Sequence, residues 1–300
     1  MADSWKISLA CTRAEAEAVQ WELPEFAHLD PAPVIMSSEP DPAAPDVWRI
    51  DAYLEQEPDS EMLALLKALA PSSATEPLVE RIDEQDWVTL SQQGLEPIRA
   101  GRFFVHTPAH RSDVPDRAVA LEVDAGRAFG TGHHETTTGC LIALDRLKEA
   151  GERFSNILDL GTGTGLLAFA ALKLWPDARV AASDIDPVSI EVTEENAGIN
   201  RIPLGDGAGE VELAVAPGLE HPSLEARTPY DLIIANILAG PLVELAPSIG
   251  AALAPGGQLM LAGLLDHQAE SVATAYREQG LAPSFSIVRG DWPTLVMRKA

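Results

Sequence analysis

From about residue 121 onward the chain alternates between short apolar runs and longer stretches with helical spacing. The strand-like runs are Asn156–Leu160, Arg179–Ile185, Val211–Ala216, Tyr230–Ile237 and Gln258–Leu264. Between them lie the helix-compatible stretches Leu166–Trp175, Pro187–Asn200, Pro241–Leu253 and His267–Gln279. Such alternation builds βαβ units around a parallel sheet covered on both faces. The C-terminus breaks the rhythm. Phe285–Arg289 and Thr294–Arg298 are separated by Gly290, Asp291, Trp292 and Pro293 alone. That is too short for a parallel crossover, so the pattern predicts an antiparallel hairpin closing a mostly parallel sheet.

The first ninety residues follow another plan. Lys6–Ala10 alternates like a strand, and Ala14–Trp21 is rich in helix formers. Val34–Met36 is strand-like within a stretch punctuated by Pro31, Pro33, Pro40, Pro42 and Pro45. Val47–Leu54 alternates again after one phase shift. A helix opens at Ser60 and Glu61 and is stopped by Pro71, and Leu78–Ile82 reads as a further strand. The order strand–helix–strand–strand–helix–strand is the split βαβ pattern of ferredoxin-like α+β domains. The chain therefore divides into an N-terminal domain over 1–90, a connecting segment over 91–120 with a strand at Arg102–Val105, and an α/β domain over 121–300.

Composition narrows the function. Lys and Arg number 21 against 46 Asp and Glu, a formal charge of −25. A surface that acidic repels phosphate, which argues against a nucleic-acid partner and favours a basic one. No apolar run approaches the ~18–20 residues of a membrane span, and Met1–Lys6 is not followed by a signal-peptide core. Cys11 and Cys140 are too few for a disulfide framework, so the chain reads as cytoplasmic.

Four segments could carry chemistry. In Ile157-Leu158-Asp159-Leu160-Gly161-Thr162-Gly163-Thr164-Gly165-Leu166 an apolar strand runs into a glycine turn and then a helix. Glycine lets the backbone turn tightly and lets a ligand approach with no Cβ in the way. The third glycine comes one residue earlier than in the dinucleotide fingerprint, which disfavours a nicotinamide oxidoreductase. The strand Val180–Ile185 ends in Asp184, about twenty residues beyond the glycines, where a carboxylate can accept from both hydroxyls of a ribose. Asp186, followed by Pro187, reads instead as a helix N-cap. The buried-looking strand Asp231–Ile237 carries Asn236 at its carboxyl end, facing the same crevice. In Asn236-Ile237-Leu238-Ala239 no aromatic ring is available to stack on a nucleobase, which weighs against a base as acceptor.

The fourth segment is Asp124–Thr138, in which glycines, then Thr136, Thr137 and Thr138, precede the apolar run Leu141–Leu144. A helix beginning within the threonines would offer a carboxylate its free N–H groups. His133 and His134 are adjacent, hence point apart, and no third ligand sits at a useful spacing. They read as loop residues and not as a metal site.

Together the segments resemble the bacterial family of methyltransferases that act on large-subunit ribosomal protein L11. The similarity rests on Ala128–His133 with Thr136 and Thr137, on the Asp159–Gly165 turn and on Asn236-Ile237-Leu238-Ala239-Gly240-Pro241-Leu242. It covers the chain from about Glu96 to the C-terminus, and the first ninety residues in layout. The resemblance implies a class I, Rossmann-like methyltransferase domain using S-adenosylmethionine, joined to an N-terminal ferredoxin-like domain that recognises the ribosomal protein. It implies methylation of amino groups, on lysine side chains, the N-terminal amine or both. By motif, Thr137, Gly161, Asp184 and Asn236 fall on donor-contacting positions, and Asn236 is the candidate for positioning the acceptor amine. Ala125 and Glu135 depart from the family pattern, which has proline at both. The alternatives are a methyltransferase of the same fold acting on RNA or on a small molecule, and a non-catalytic binding module.

Overall fold

The computed structural model describes residues 4–18, 34–38, 48–54, 56–73, 76–82, 97–123 and 134–300. The readings of the Asp124–His133 loop, of the N-terminal helix beyond Ala18, of the proline-rich stretch around Val34–Ser38 and of Val47 lie outside these residues.

Two compact units are present, residues 1–91 and 92–300. In the first, β1 (Ser4–Cys11), α1 (Arg13–Ala18), β2 (Val34–Ser38), β3 (Trp48–Leu54), α2 (Ser60–Ala68) and β4 (Leu78–Ile82) appear in the expected order. The sheet runs β2-β3-β1-β4 with every pair antiparallel, which is the ferredoxin-like arrangement. Alternation along β1 and β3 sends Ile7, Leu9, Ile50 and Ala52 into one core with Ala16 and Leu66 of the helices. The opposite phase of the same strands carries Ser8, Arg49 and Asp51, and the nearly buried Asp51 carboxylate accepts from Ser8 Oγ at 2.6 Å and Arg49 Nε at 2.9 Å.

The second unit opens with a three-stranded sheet, β5 (Ile98–Ala100), β6 (Phe103–His106) and β7 (Val119–Glu122), folded from the stretch read as a connector. The main sheet follows, interleaved with helices: α3 (His134–Glu149), β8 (Asn156–Leu160), α4 (Leu166–Leu174), β9 (Arg179–Asp184), α5 (Pro187–Asn200), β10 (Val211–Val215), α6 (Pro222–Ala226), β11 (Tyr230–Asn236), α7 (Ala239–Glu244), α8 (Ala246–Ala252), β12 (Leu253–Ala262), α9 (Asp266–Arg277), β13 (Leu281–Arg289) and β14 (Trp292–Lys299). Its seven strands run β10-β9-β8-β11-β12-β14-β13. β14 inserts antiparallel between β12 and β13, so the expected hairpin is present and the remaining strands share one direction. Both faces are dry. Ile157, Ile234 and Met260 meet Leu141, Leu144 and Phe169 of α3 and α4 on one face. Leu158, Ile233 and Leu261 meet Leu242, Ile249 and Tyr276 of α7, α8 and α9 on the other.

Two local expectations are corrected. The helix expected over Pro241–Leu253 is two helices that start earlier, at Ala239, and break at Leu245. Pro241 sits in a first turn, where its missing N–H costs nothing, whereas Pro247 cannot donate back to Val243 and starts a new helix. The helix expected to begin within the threonines begins at His134, with Glu135 in its first turn. A carboxylate there is favoured by the positive end of the helix dipole.

Candidate functional site

The carboxyl ends of β8, β9 and β11 converge on a cavity of about 310 Å³ lined by Leu160, Gly161, Ser183, Asp184, Ile185, Ala216, Gly218, Ile237, Leu238, Pro241 and Leu245. This is where an open parallel sheet whose strand order reverses, here between β8 and β11, places its ligands. The lining is almost wholly apolar, yet Ile185 and Leu238 remain 71% and 73% exposed. Apolar walls open to solvent suit a flat aromatic group that would cover them.

The polar end of the cavity is built by Asp184. Its Oδ2 accepts from Gly163 N at 2.9 Å and its Oδ1 from Asp186 N at 3.1 Å. A carboxylate oxygen has two lone pairs, so each oxygen keeps one for a ligand hydroxyl. Asp186 accepts from Val188 N and caps α5 ahead of Pro187, as its place in the sequence requires. Ser183 Oγ, on the same lining, is buried and meets no partner among the described residues. A ribose with an adjoining base therefore fits the donor set and shape, which is the adenosine half of S-adenosylmethionine.

The glycine turn is held from behind. Asp159, 1% exposed on β8, takes Thr162 Oγ1 at 2.7 Å and Ala168 N at 2.9 Å on its Oδ2. Ala168 is the third residue of α4, and the N-cap, Gly165, has no side chain to cap it, so Asp159 does so across nine residues. Burial, against the pull of the Thr162 and Ala168 hydrogen bonds and with a smaller push from the nearby Asp184 charge, brings the Asp159 carboxyl up to about 7. The Cys140 thiol is raised by complete burial and then by Asp159, which makes it inert. From α5, Thr193 Oγ1 donates to Gly163 O at 2.9 Å and Asn196 Nδ2 to Thr164 O at 3.0 Å, fixing the outward N–H face of the turn. Sequence reading singled out none of Asp159, Thr193 or Asn196 as a support. The signal for Asp159 was an acid inside an apolar strand.

Of the four expected site residues, Gly161 and Asp184 line the cavity. Asn236 is the half-buried last residue of β11, next to Ile237 of the lining, and the N-cap of α7 is Leu238, so Asn236 does not cap the following helix. Thr137 lies half-buried in α3 and outside the cavity lining. Thr137 is the fourth residue of that helix, and its hydroxyl is what it can offer a ligand. His134 belongs to that first turn, and no cluster of groups able to hold a metal occurs among the described residues.

A mostly parallel sheet with this strand order, a glycine turn after its first strand and an acid ending its second together define a class I methyltransferase, which uses S-adenosylmethionine as methyl donor. The profile of the ribosomal protein L11 methyltransferase family (PrmA) matches residues 3–300. A ribosomal protein L11 methyltransferase of Brucella melitensis biotype 2 is 42% identical over 252 residues, spanning 84% of this chain and 85% of the relative. That of Agrobacterium fabrum is 41% identical over 256 residues, 85% of each. Among solved structures, a ribosomal protein L11 methylase from Lactobacillus delbrueckii subsp. bulgaricus superposes with a TM-score of 0.57 at 28% identity, covering 69% of this chain and 99% of its own. The chain belongs to the ribosomal protein L11 methyltransferase family.

Proposed function

We propose that this enzyme transfers methyl groups from S-adenosylmethionine to amino groups of ribosomal protein L11, on lysine side chains, the N-terminal amine or both. Thr137, Gly161, Asp184 and Asn236 contact the donor, and Asn236 positions the acceptor amine. The observation that carries this reading is the meeting of the glycine turn and Asp184 on one apolar-walled cavity in a chain of this family.

When bound, the donor supplies a methyl group already activated by its sulfonium, so no nucleophilic side chain is needed. The chain's own residues align and dry the site. Asp184 holds the ribose through its two spare lone pairs, and Ile185 and Leu238 close over the base. Asn236 accepts a hydrogen bond from the incoming amine and aims its lone pair. The acceptor must be neutral to attack. For a lysine this costs roughly 4–5 kcal/mol at pH 7, and for an α-amino group about 1. The apolar walls favour that neutral form by desolvation.

The N-terminal ferredoxin-like unit, residues 1–90 by the sequence boundary, recognises the substrate protein. A charge of −25 draws a basic one and disfavours direct contact with RNA. No helix among the described residues is long and apolar enough to cross a membrane, and the reading places the enzyme in the cytoplasm, where ribosomal proteins meet their modifying enzymes. Labelled methyl transfer to purified ribosomal proteins, resolved by mass spectrometry, tests the reaction. Label on L11 amines is expected, and label on rRNA or a metabolite would replace the substrate. Asn236→Ala is expected to lower kcat roughly 100-fold, as loss of one aligned polar group does. Full turnover with normal donor binding would remove Asn236 from its role.

A further inference from the structure

The end of β11 is gripped from both sides. In the sheet β11 lies between β8 and β12, and the residue after each neighbour is a glycine with positive φ, Gly161 at +74° and Gly263 at +83°. A Cβ on Gly161 would overlap Ile237 Cγ2. One on Gly263 would overlap the Ile237 carbonyl oxygen and stand 2.8 Å from its carbonyl carbon and 2.9 Å from its nitrogen. Ile237 thus fills with its side chain the space that Gly161 leaves, and with its backbone the space beside Gly263. It directly follows Asn236 and shares the cavity lining with Gly161. Gly280, at φ +80°, has nothing against it, so this backbone conformation does not by itself bring such contact.

We propose that Ile237 is a positioning residue of the donor site, wedged between Gly161 and Gly263. Its side chain sets the depth of the cavity wall, its backbone sets the direction of Asn236, and Gly263 belongs to the site through it although it does not line the cavity. The wedge rests on the reading above for the role of Asn236, but not for donor binding. A β-branched side chain has few rotamers to yield with, and a close-packed interior does not compress. A methyl group added at either glycine therefore displaces Ile237.

The test is a double-mutant cycle in the full-length enzyme. Calorimetry with S-adenosylhomocysteine reads the donor pocket, and turnover on L11 reads alignment. Gly161→Ala is expected to weaken binding roughly 30-fold, as overpacking does. In an Ile237→Ala background, which removes Cγ2, the same change should add no more than about threefold. Gly263→Ala is expected to lower kcat on the order of 100-fold with a smaller effect on binding, the signature of a displaced aligning group. Gly280→Ala, strained alike, should leave both at the wild-type value. Independent effects of Gly161 and Ile237 would overturn the wedge, and wild-type kcat in Gly263→Ala would overturn its second half. Should Gly263→Ala fail to fold by circular dichroism, the Gly161–Ile237 cycle still decides. If Asn236→Ala keeps full turnover while that cycle shows coupling, the role of Asn236 fails and the wedge stands.

Discussion

Replacing Asp184 by alanine is expected to weaken donor binding by about 10²- to 10⁴-fold, the equivalent of two charge-assisted hydrogen bonds at roughly 1.5–3 kcal/mol each. On the proposed reading, the direct loss is the pair of acceptors held out to the ribose hydroxyls. An indirect loss adds to it, because Oδ2 of Asp184 also receives the N–H of Gly163 and Oδ1 that of Asp186. Without the carboxylate the glycine turn is no longer tied to the end of β9. Asp184→Asn keeps one acceptor and is expected to lose only about tenfold, since one good hydrogen bond to the ribose survives. Calorimetry with S-adenosylhomocysteine gives both numbers. Thermal melts separate lost contacts from a disturbed turn. Alanine binding within a factor of three of wild type would move the ribose elsewhere.

Much of this site could be read in the sequence because its chemistry is local. Gly161 announces itself by following an apolar strand and preceding a helix, and Asp184 by ending the next apolar strand. The hairpin was legible from loop length alone, since Gly290–Pro293 cannot span a crossover. Element positions in the α/β unit followed the pattern closely, with α5 running from Pro187 to Asn200 as expected. Where boundaries moved, a hydrogen-bonding reason is visible. Pro247 splits a helix because it lacks an N–H, and β12 starts at Leu253, before its apolar run, because Tyr230 of β11 pairs with it across a register shift.

What stayed hidden depends on contacts between residues far apart in the chain. Asn196 and Thr193 are ordinary polar positions of α5 until the fold brings them against the carbonyls of residues 163 and 164. Gly263 carries no motif. It lies against the backbone of Ile237, 26 positions earlier in the chain, and no periodicity encodes that approach. The connecting segment hid a sheet for a similar reason. β5 and β7 are short, and each is stabilised by pairing with β6 and not by its own pattern.

Stability is expected to fall as pH rises from about 4 to about 7, and Asp159→Asn is expected to remove most of that slope. Asp159 is 1% exposed, and burial raises its carboxyl to about 7 from an unfolded value near 3.9. Between those values the folded chain holds a proton that the unfolded chain has released, so ΔG of unfolding declines with pH through this window and levels off above it. Three units amount to roughly 4 kcal/mol at 1.36 per unit, a large share of a typical domain's stability. Asparagine is nearly isosteric and its amide oxygen can still accept from Thr162 and Ala168. The variant should therefore match wild type near pH 4 and exceed it by several kcal/mol, about 3–4, at pH 8. Urea melts at a series of pH values measure the difference, and parallel curves for the two proteins would show that Asp159 does not titrate in this window. Asp159→Leu separates charge from capping. It also abolishes the slope, but it leaves the Ala168 N–H and the Thr162 hydroxyl without their acceptor, at about 1–3 kcal/mol for each buried group. Its stability should lie below that of Asn at every pH, and its donor affinity should fall as the glycine turn loosens. Holding the turn through a carboxylate, at a stability cost that an amide would avoid, is what a site under selection for ligand binding is expected to show.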